Sequence, residues 1–167
     1  MKRLNISGCI TKKVIESQDD LEELFGTTLE YLGDTNFASV TDLEREDNTI
    51  DIYSNAQGCL IIYHAGQSYD VSEVKEEIAQ FVLFALANSY FFEQYRNGDL
   101  QRRYMVVNGE VHDNEGEGIL KQGDDVEVVV KRVIDEFLQA PISNELPNLI
   151  FQRFAFIDED QAAKLPH

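Results

Sequence analysis

The feature that most constrains the fold is the dipeptide Asn97-Gly98, which interrupts the aromatic-rich stretch FFEQYRNGDLQRRYM at residues 91–105. A type I′ turn needs positive φ at both central positions, which Asn and Gly tolerate best. The dipeptide therefore predicts a tight hairpin and, with it, an antiparallel sheet. Counting outward from the turn predicts three cross-strand pairs: Tyr95–Leu100, Glu93–Arg102 and Phe91–Tyr104. The other face of the hairpin then carries Phe92, Arg96, Arg103 and Met105.

Two segments carry helix signals. In residues 17–26, Ser17 can cap the first turn, acidic residues follow where the helix dipole favours them, and a glycine ends the run. In residues 123–141, apolar side chains recur every three or four positions and Pro141 prevents continuation. This apolar stripe comprises Val126, Val129, Val130, Val133, Ile134 and Phe137.

The remaining segments predict a sheet. We expect strands at residues 3–15 (at an edge or early in the sheet), 37–47, 48–54 and 58–66, and a strand or a helix at 148–160. We also expect a helix at 68–84, although residues 81–87 could either continue this helix or begin a strand. Together these elements predict a single α+β domain over residues 1–167. Its core would be an antiparallel sheet of about five or six strands, with two to four helices packed on it.

Acidic residues dominate the composition, with 31 Asp and Glu against 14 Lys and Arg, for a net charge of −17. Residues 16–51 hold twelve acids and a single basic residue, Arg45. Nucleic-acid phosphates and anionic membranes repel such a chain. We therefore predict a basic protein as the partner, with no nucleic acid and no membrane. The candidate contact residues are Asp19, Asp20, Glu22, Glu23, Glu44, Glu46 and Asp47.

Two alternatives to a basic partner remain open for this charge. It can serve solubility alone, because net charge governs solubility and association more than fold. It can also mimic nucleic acid, if the carboxylates of residues 16–51 are spaced like phosphates. The sequence leaves homo-oligomerisation open as well.

The two cysteines, Cys9 and Cys59, lie in separate strand-like segments without metal-ligand spacing, which indicates free buried thiols. Residues 1–13 lack the continuous apolar core of a signal peptide. No apolar run reaches the roughly 18 residues that a membrane span requires. The expected location is therefore the cytoplasm.

The sequence holds no phosphate-binding loop, nucleophile elbow or zinc-protease motif, so catalytic residues are unassigned and no cofactor is predicted. One alternative is a metal or acid–base site around Glu110, His112 and Asp113. If this segment is a regular strand, Glu110 and His112 share a face while Asp113 points to the other.

Residues 113–124 also approximate the spacing of an EF-hand calcium loop. Ligand positions 1, 3, 5 and 12 would be Asp113, Glu115, Glu117 and Asp124, with Gly118 at the turn. Glutamates replace the shorter acids at two positions, Asp124 is short for a bidentate ligand, and the preceding segment predicts a strand. A solvated loop between strand and helix is the alternative, and we predict no metal.

The stretch SYFFEQYRNGDLQRRYMVVNGEVHDNEGEGI at residues 89–119, followed by a helix that begins with acids, resembles an arrangement in small acidic bacterial domains. Some of these are immunity proteins that neutralise toxins in contact-dependent competition. The resemblance covers about a third of the chain. It implies an α+β fold and a protein-binding role, and it transfers no catalytic residues.

The sequence thus favours a non-enzymatic, acidic, protein-binding domain, with an immunity role against a basic toxin as the form that the resemblance implies. The alternative is a small metal-dependent or acid–base enzyme that uses Glu110, His112 and Asp113.

Overall fold

A computed structural model describes residues 3–157, and all nine strands within them join one antiparallel sheet. The strand order is β2-β9-β3-β4-β1-β5-β6-β7-β8, so β2 and β8 form the edges. The strands are β1 (Asn5–Thr11), β2 (Leu29–Asn36), β3 (Thr49–Asn55), β4 (Gly58–Tyr63), β5 (Ile78–Phe84), β6 (Ser89–Arg96), β7 (Asp99–Val107), β8 (Glu110–Gly116) and β9 (Ile150–Phe156).

The described residues also form four α-helices, which are α1 (Gln18–Phe25), α2 (Phe37–Val40), α3 (Val126–Leu138) and α4 (Ile142–Glu145). The fold is therefore α+β as predicted, but its sheet has more strands than the five or six expected. None of the helices within residues 3–157 combines the length and the apolar character needed to cross a membrane.

Hydrophobic clusters form on both faces of the sheet. On one face, which we call the α3 face, the valine-rich stripe of α3 packs on β1, β4, β5 and β6, and Leu146 and Phe151 extend this core. On the opposite α1 face, Leu21 and Phe25 of α1 and Tyr69 and Val71 of the 64–77 loop cover β3, β4 and β9. Residues that alternate along a strand supply the two cores in turn.

Both helices with strong end signals form as predicted. Ser17 caps α1 by accepting a hydrogen bond from the Asp20 amide, and Gly26 ends it in the left-handed conformation at φ 68°. Asp125 caps α3, accepting from the Glu127 and Val128 amides. The apolar stripe predicted for α3 is buried throughout.

The central hairpin is confirmed, but its register is not. Asn97 and Gly98 have φ values of 52° and 82°, and Tyr95 pairs with Leu100 as predicted. A bulge at Gln101 then shifts β7 by one residue. The observed pairs are Gln94–Arg102, Glu93–Arg103, Phe92–Tyr104 and Phe91–Met105. The predicted Glu93–Arg102 and Phe91–Tyr104 pairs are wrong, because a one-residue shift moves each side chain to the other face.

The helix predicted for residues 68–84 is also wrong. Its second half is strand β5, which pairs with both β1 and β6. A helix would place Ile78 and Phe81 on one face, yet these two residues belong to the cores on opposite sides of the sheet. An apolar segment buried on both faces has no periodicity that separates strand from helix.

Three further assignments need correction or completion. Residues 37–47 begin with α2, which Asn36 caps by accepting from the Ser39 amide at 3.0 Å, so no strand forms there. The first strand, β1, is not at an edge but between β4 and β5. In residues 148–160 the strand alternative is correct as β9, while 158–160 lie outside the described residues.

Candidate functional site

The acids of helix α1 differ in their exposure to solvent, because one side of the helix packs on the protein and the other faces water. Asp19 and Glu23 are exposed, whereas Asp20 and Glu22 are half-buried and hold the adjoining chain. Asp20 Oδ2 accepts a hydrogen bond from the Glu16 amide at 2.9 Å, and Glu22 Oε2 accepts from the Leu29 amide at 2.7 Å. The first two acids are therefore available to a partner, and the other two also shape the helix ends.

The second acidic segment, residues 42–47, turns its only cation inward. The Arg45 side chain is 1% exposed, and its Nη1 lies 2.8 Å from the Asp51 carboxylate, which is fully buried. Burial lowers the pKa of Arg45 to about 10, although the nearby Asp51 charge opposes this shift. Glu44, Glu46 and Asp47 remain exposed at the surface.

Asp51 is shared by two arginines from different parts of the chain. Arg153 of β9 donates to both of its carboxylate oxygens, from Nε at 2.7 Å and from Nη2 at 2.8 Å. Arg45 also donates to Thr49 Oγ1 at 2.9 Å. This cluster lies on the α3 face, because Asp51 pairs with Ile62 in the sheet. It fixes the 42–47 segment to the sheet.

The two acidic segments meet at an aromatic cluster on the α1 face. The Phe25 ring of α1 lies 5.8 Å from the Tyr69 ring and 5.7 Å from the Phe156 ring. The Phe156 amide donates to the Asn48 carbonyl at 3.0 Å, which anchors the end of the second segment beside it. Burial and then the Asp47 charge raise the pKa of Tyr69 to about 12.

The seven predicted partner-binding residues lie on α1 and in the 42–47 segment, both of which attach to the part of the sheet that β2, β9 and β3 form. We call this set the acidic surface, and it comprises Asp19, Asp20, Glu22, Glu23, Glu44, Glu46 and Asp47. None of them forms an ion pair with another residue in the range 3–157.

The candidate acid–base residues lie on β8, the edge strand next to β7. Register pairs Glu110 with Val107 and Asp113 with Met105, so these two acids share a face of the sheet. His112 is the extra residue at a bulge, opposite none of the β7 residues, and it is exposed. The prediction that Asp113 points away from Glu110 is wrong, because this bulge returns the two acids to the same face.

The calcium-like spacing does not fold into a loop. Asp113 and Glu115 belong to the extended strand β8, and Glu117 follows it. Asp124 Oδ2 instead accepts the Lys121 amide at 2.9 Å in a local turn, and Glu115 pairs with Arg103 at 3.4 Å. Among residues 3–157, no three His, Cys, Asp or Glu side chains are grouped to hold a metal ion.

Sequence reasoning missed a buried polar cluster between β5, β6 and β7. Gln80 Nε2 donates to Glu93 Oε1 at 2.8 Å, and Arg103 donates to the Tyr95 hydroxyl at 3.0 Å and to Glu93 Oε2 at 3.4 Å. Burial raises the pKa of Glu93, although both partners oppose the shift. Gln80 also bonds the backbone of Tyr69, which attaches the 64–77 loop. Knowing the bulge at Gln101 would have revealed the Glu93–Arg103 pair.

A second polar cluster is centred on Glu77, just before β5. Its carboxylate accepts from Lys12 at 2.7 Å, from Gln94 at 2.7 Å and from Arg96 at 3.2 Å. Burial raises the pKa of Glu77, but these three donors outweigh burial and hold it below its ordinary value.

Replacing Glu77 with glutamine is expected to cost about 1 kcal/mol of unfolding free energy at pH 7, because Lys12 and Arg96 lose their counter-charge. A lowered pKa in the folded state makes this contribution complete above the ordinary value of 4.5 and removes it as the pH falls further. Urea unfolding from pH 7 to pH 3 measures the difference. Glu73→Gln, at an exposed neighbour, is the control and should lack this pH dependence. If Glu77→Gln and wild type still differ equally in unfolding free energy at pH 3, the stabilising role assigned to the charged Glu77 carboxylate is contradicted.

Both thiols are buried and free, as predicted. Burial raises the pKa of Cys9 to about 12 and that of Cys59 well above its ordinary value. Because a thiol must lose its proton to act as a nucleophile, neither residue is prepared for thiolate chemistry at neutral pH.

Comparison of the chain with protein-family models, curated proteins and solved structures found no match.

Proposed function

We propose that this protein is a non-enzymatic binding domain that holds a basic protein partner against its acidic surface, as an immunity protein would neutralise a basic toxin. The observation that carries the proposal is the inward orientation of Arg45. It is the only basic residue among 16–51, and its charge is paired with the buried carboxylate of Asp51. The segment therefore presents eleven other carboxylates at least partly to solvent and no exposed cation.

A surface of this kind acts mainly on encounter and selectivity. Charges of one sign attract an oppositely charged partner, accelerate association and repel partners of like charge. Exposed charges are screened at about 8–10 Å in physiological salt, so the attraction should weaken as salt increases. The rigid attachment of both segments to the sheet supports a preformed surface that needs no ordering upon binding.

The test is capture of partners from native lysate by the immobilised wild-type protein and by two variants, at low and high salt. The surface variant removes five charges whose side chains bond to no other described residue, at Asp19, Glu23, Glu44, Glu46 and Asp47. The control variant removes five charges at the opposite end of the sheet and on α3, at Asp99, Glu110, Asp113, Glu117 and Glu136. Each change is Asp→Asn or Glu→Gln, so both variants have the same net charge.

We expect a basic protein that the wild type and the control variant capture equally, that salt elutes, and that binds the surface variant about tenfold more weakly. If the surface variant and the control variant lose equal amounts of binding, the interaction depends only on net charge, and the proposal is contradicted. Binding that resists salt, or the absence of a basic partner, would contradict it as well.

A further inference from the structure

A groove of about 370 Å³ opens on the α1 face, between the start of α1 and the strands at the β2 edge. Its floor is apolar and consists of Leu21, Ile52 and Phe154, all of them buried. Tyr31 of β2 forms one wall, stands 46% exposed and packs its ring 5.4 Å from that of Phe154. The groove thus joins an apolar bottom to an accessible aromatic face.

The rim of the groove is polar and acidic. Glu16 lies on it and is exposed, together with Gln18, Ser54 and Gln152. The Tyr31 hydroxyl donates to Asp34 Oδ1 at 2.5 Å, which places a second carboxylate beside the ring. Among residues 3–157, no Lys, Arg or His lines this groove.

We propose that this groove receives an arginine side chain from the basic partner, a statement that rests on the proposed function. The three methylenes of an arginine would lie along the apolar floor, as long cationic side chains do on apolar surfaces. The guanidinium would then stack on the Tyr31 ring and face the Glu16 carboxylate.

Charge complementarity selects this occupant over the alternatives. A purely apolar side chain would cover the floor but would leave the carboxylates of Glu16 and Asp34 without a counter-charge. An acidic side chain would be repelled by both. Lysine shares the charge but lacks the planar guanidinium that stacks on an aromatic ring, so it should bind more weakly than arginine.

The experiment uses amide NMR spectra of the full chain titrated with a capped pentapeptide, Ac-Gly-Leu-Arg-Leu-Gly-NH₂. The matched probes replace arginine with lysine or with citrulline, which keeps the shape of arginine but has no charge. We expect the arginine peptide to shift the amides of Leu21, Tyr31, Ile52 and Phe154, the lysine peptide to shift them less, and the citrulline peptide to leave them unchanged.

Three variants localise the interaction. Glu16→Gln and Tyr31→Ala should each weaken binding of the arginine peptide about three- to tenfold. Tyr31→Phe keeps the ring and should bind within about twofold of wild type, which separates loss of stacking from loss of the hydroxyl and from any unfolding of the alanine variant. Glu136→Gln, at an exposed position of α3 outside both the groove and the acidic surface, is the control and should bind as wild type does.

The outcomes separate this inference from the proposed function. Shifts confined to residues 42–47, or none at up to about 5 mM peptide, would overturn the groove as an arginine site. Equal shifts with the citrulline peptide would overturn it too, because charge would then play no part. The proposed function is decided by the capture experiment, since its five-residue surface variant changes no residue that lines the groove.

Discussion

Replacing Asp51 with alanine is expected to lower the free energy of unfolding by about 3–5 kcal/mol, as removal of one partner from a buried ion pair does. The carboxylate is fully buried, with Arg45 Nη1 at 2.8 Å and Arg153 Nε at 2.7 Å. Without it, the Arg45 guanidinium stays inside the protein with no counter-charge. Urea unfolding at pH 7 measures the loss.

Two further variants test this explanation of the Asp51→Ala effect. Glu44→Ala removes an exposed acid from the adjoining segment and should change stability by no more than about 0.5 kcal/mol. Adding Arg45→Met to Asp51→Ala should recover part of the loss, because the unpaired cation is then gone as well. A loss below about 1 kcal/mol for Asp51→Ala, or no recovery in the double variant, would contradict a buried ion pair between Asp51 and Arg45.

Replacing Gly8 with alanine is expected to cost about 3 kcal/mol or more, at the upper end of the range for overpacked sites. Gly8 lies in β1, between β4 and β5, and a Cβ there would stand 2.2 Å from the backbone carbonyl oxygen of Ile61. A backbone atom inside a sheet cannot rotate away as a side chain can. The two strands would have to separate, with loss of their hydrogen bonds.

Gly118→Ala is the matched control for Gly8→Ala. A Cβ at Gly118 would meet first the Cβ of Arg102, at 3.3 Å, and the backbone there has no left-handed φ. We expect this change to cost less than about 1 kcal/mol. Thermal and urea unfolding of Gly8→Ala and Gly118→Ala measure the difference.

If Gly8→Ala gives no soluble protein, Gly58→Ala provides a second case, since its Cβ would stand 2.2 Å from the Thr11 carbonyl oxygen. If Gly8→Ala and Gly58→Ala both unfold within about 1 kcal/mol of wild type, the close packing of these two glycines against neighbouring backbone is contradicted.

The elements predicted correctly are those whose signals are local. The Asn97-Gly98 turn follows from the φ values its two residues tolerate, and α1 and α3 follow from caps and helical periodicity. A second Asn-Gly pair, Asn108-Gly109, has φ values of 51° and 83° and joins β7 to β8. The same signal could therefore have extended the hairpin by a third strand and raised the expected strand number.

The errors arise where packing, not local sequence, decides the conformation. Strand β5 is buried on both faces between β1 and β6, so its apolar run has no alternation to mark it as a strand. The bulges at Gln101 and His112 each add one residue to one strand only. Such an insertion depends on the neighbouring strand, and the position of the turn alone cannot indicate it.

The sequence by itself determined the antiparallel hairpin, the two main helices and the strong negative charge, because each depends on residue type or on neighbours a few positions apart. Only the tertiary structure decided which charges face solvent. Arg45 and Asp51 are six positions apart and Arg153 is about a hundred positions further on, so only the completed sheet brings the three together. Their mutual burial withdraws the one cation of the acidic segment from the surface, because a buried guanidinium is stable only beside its counter-charge.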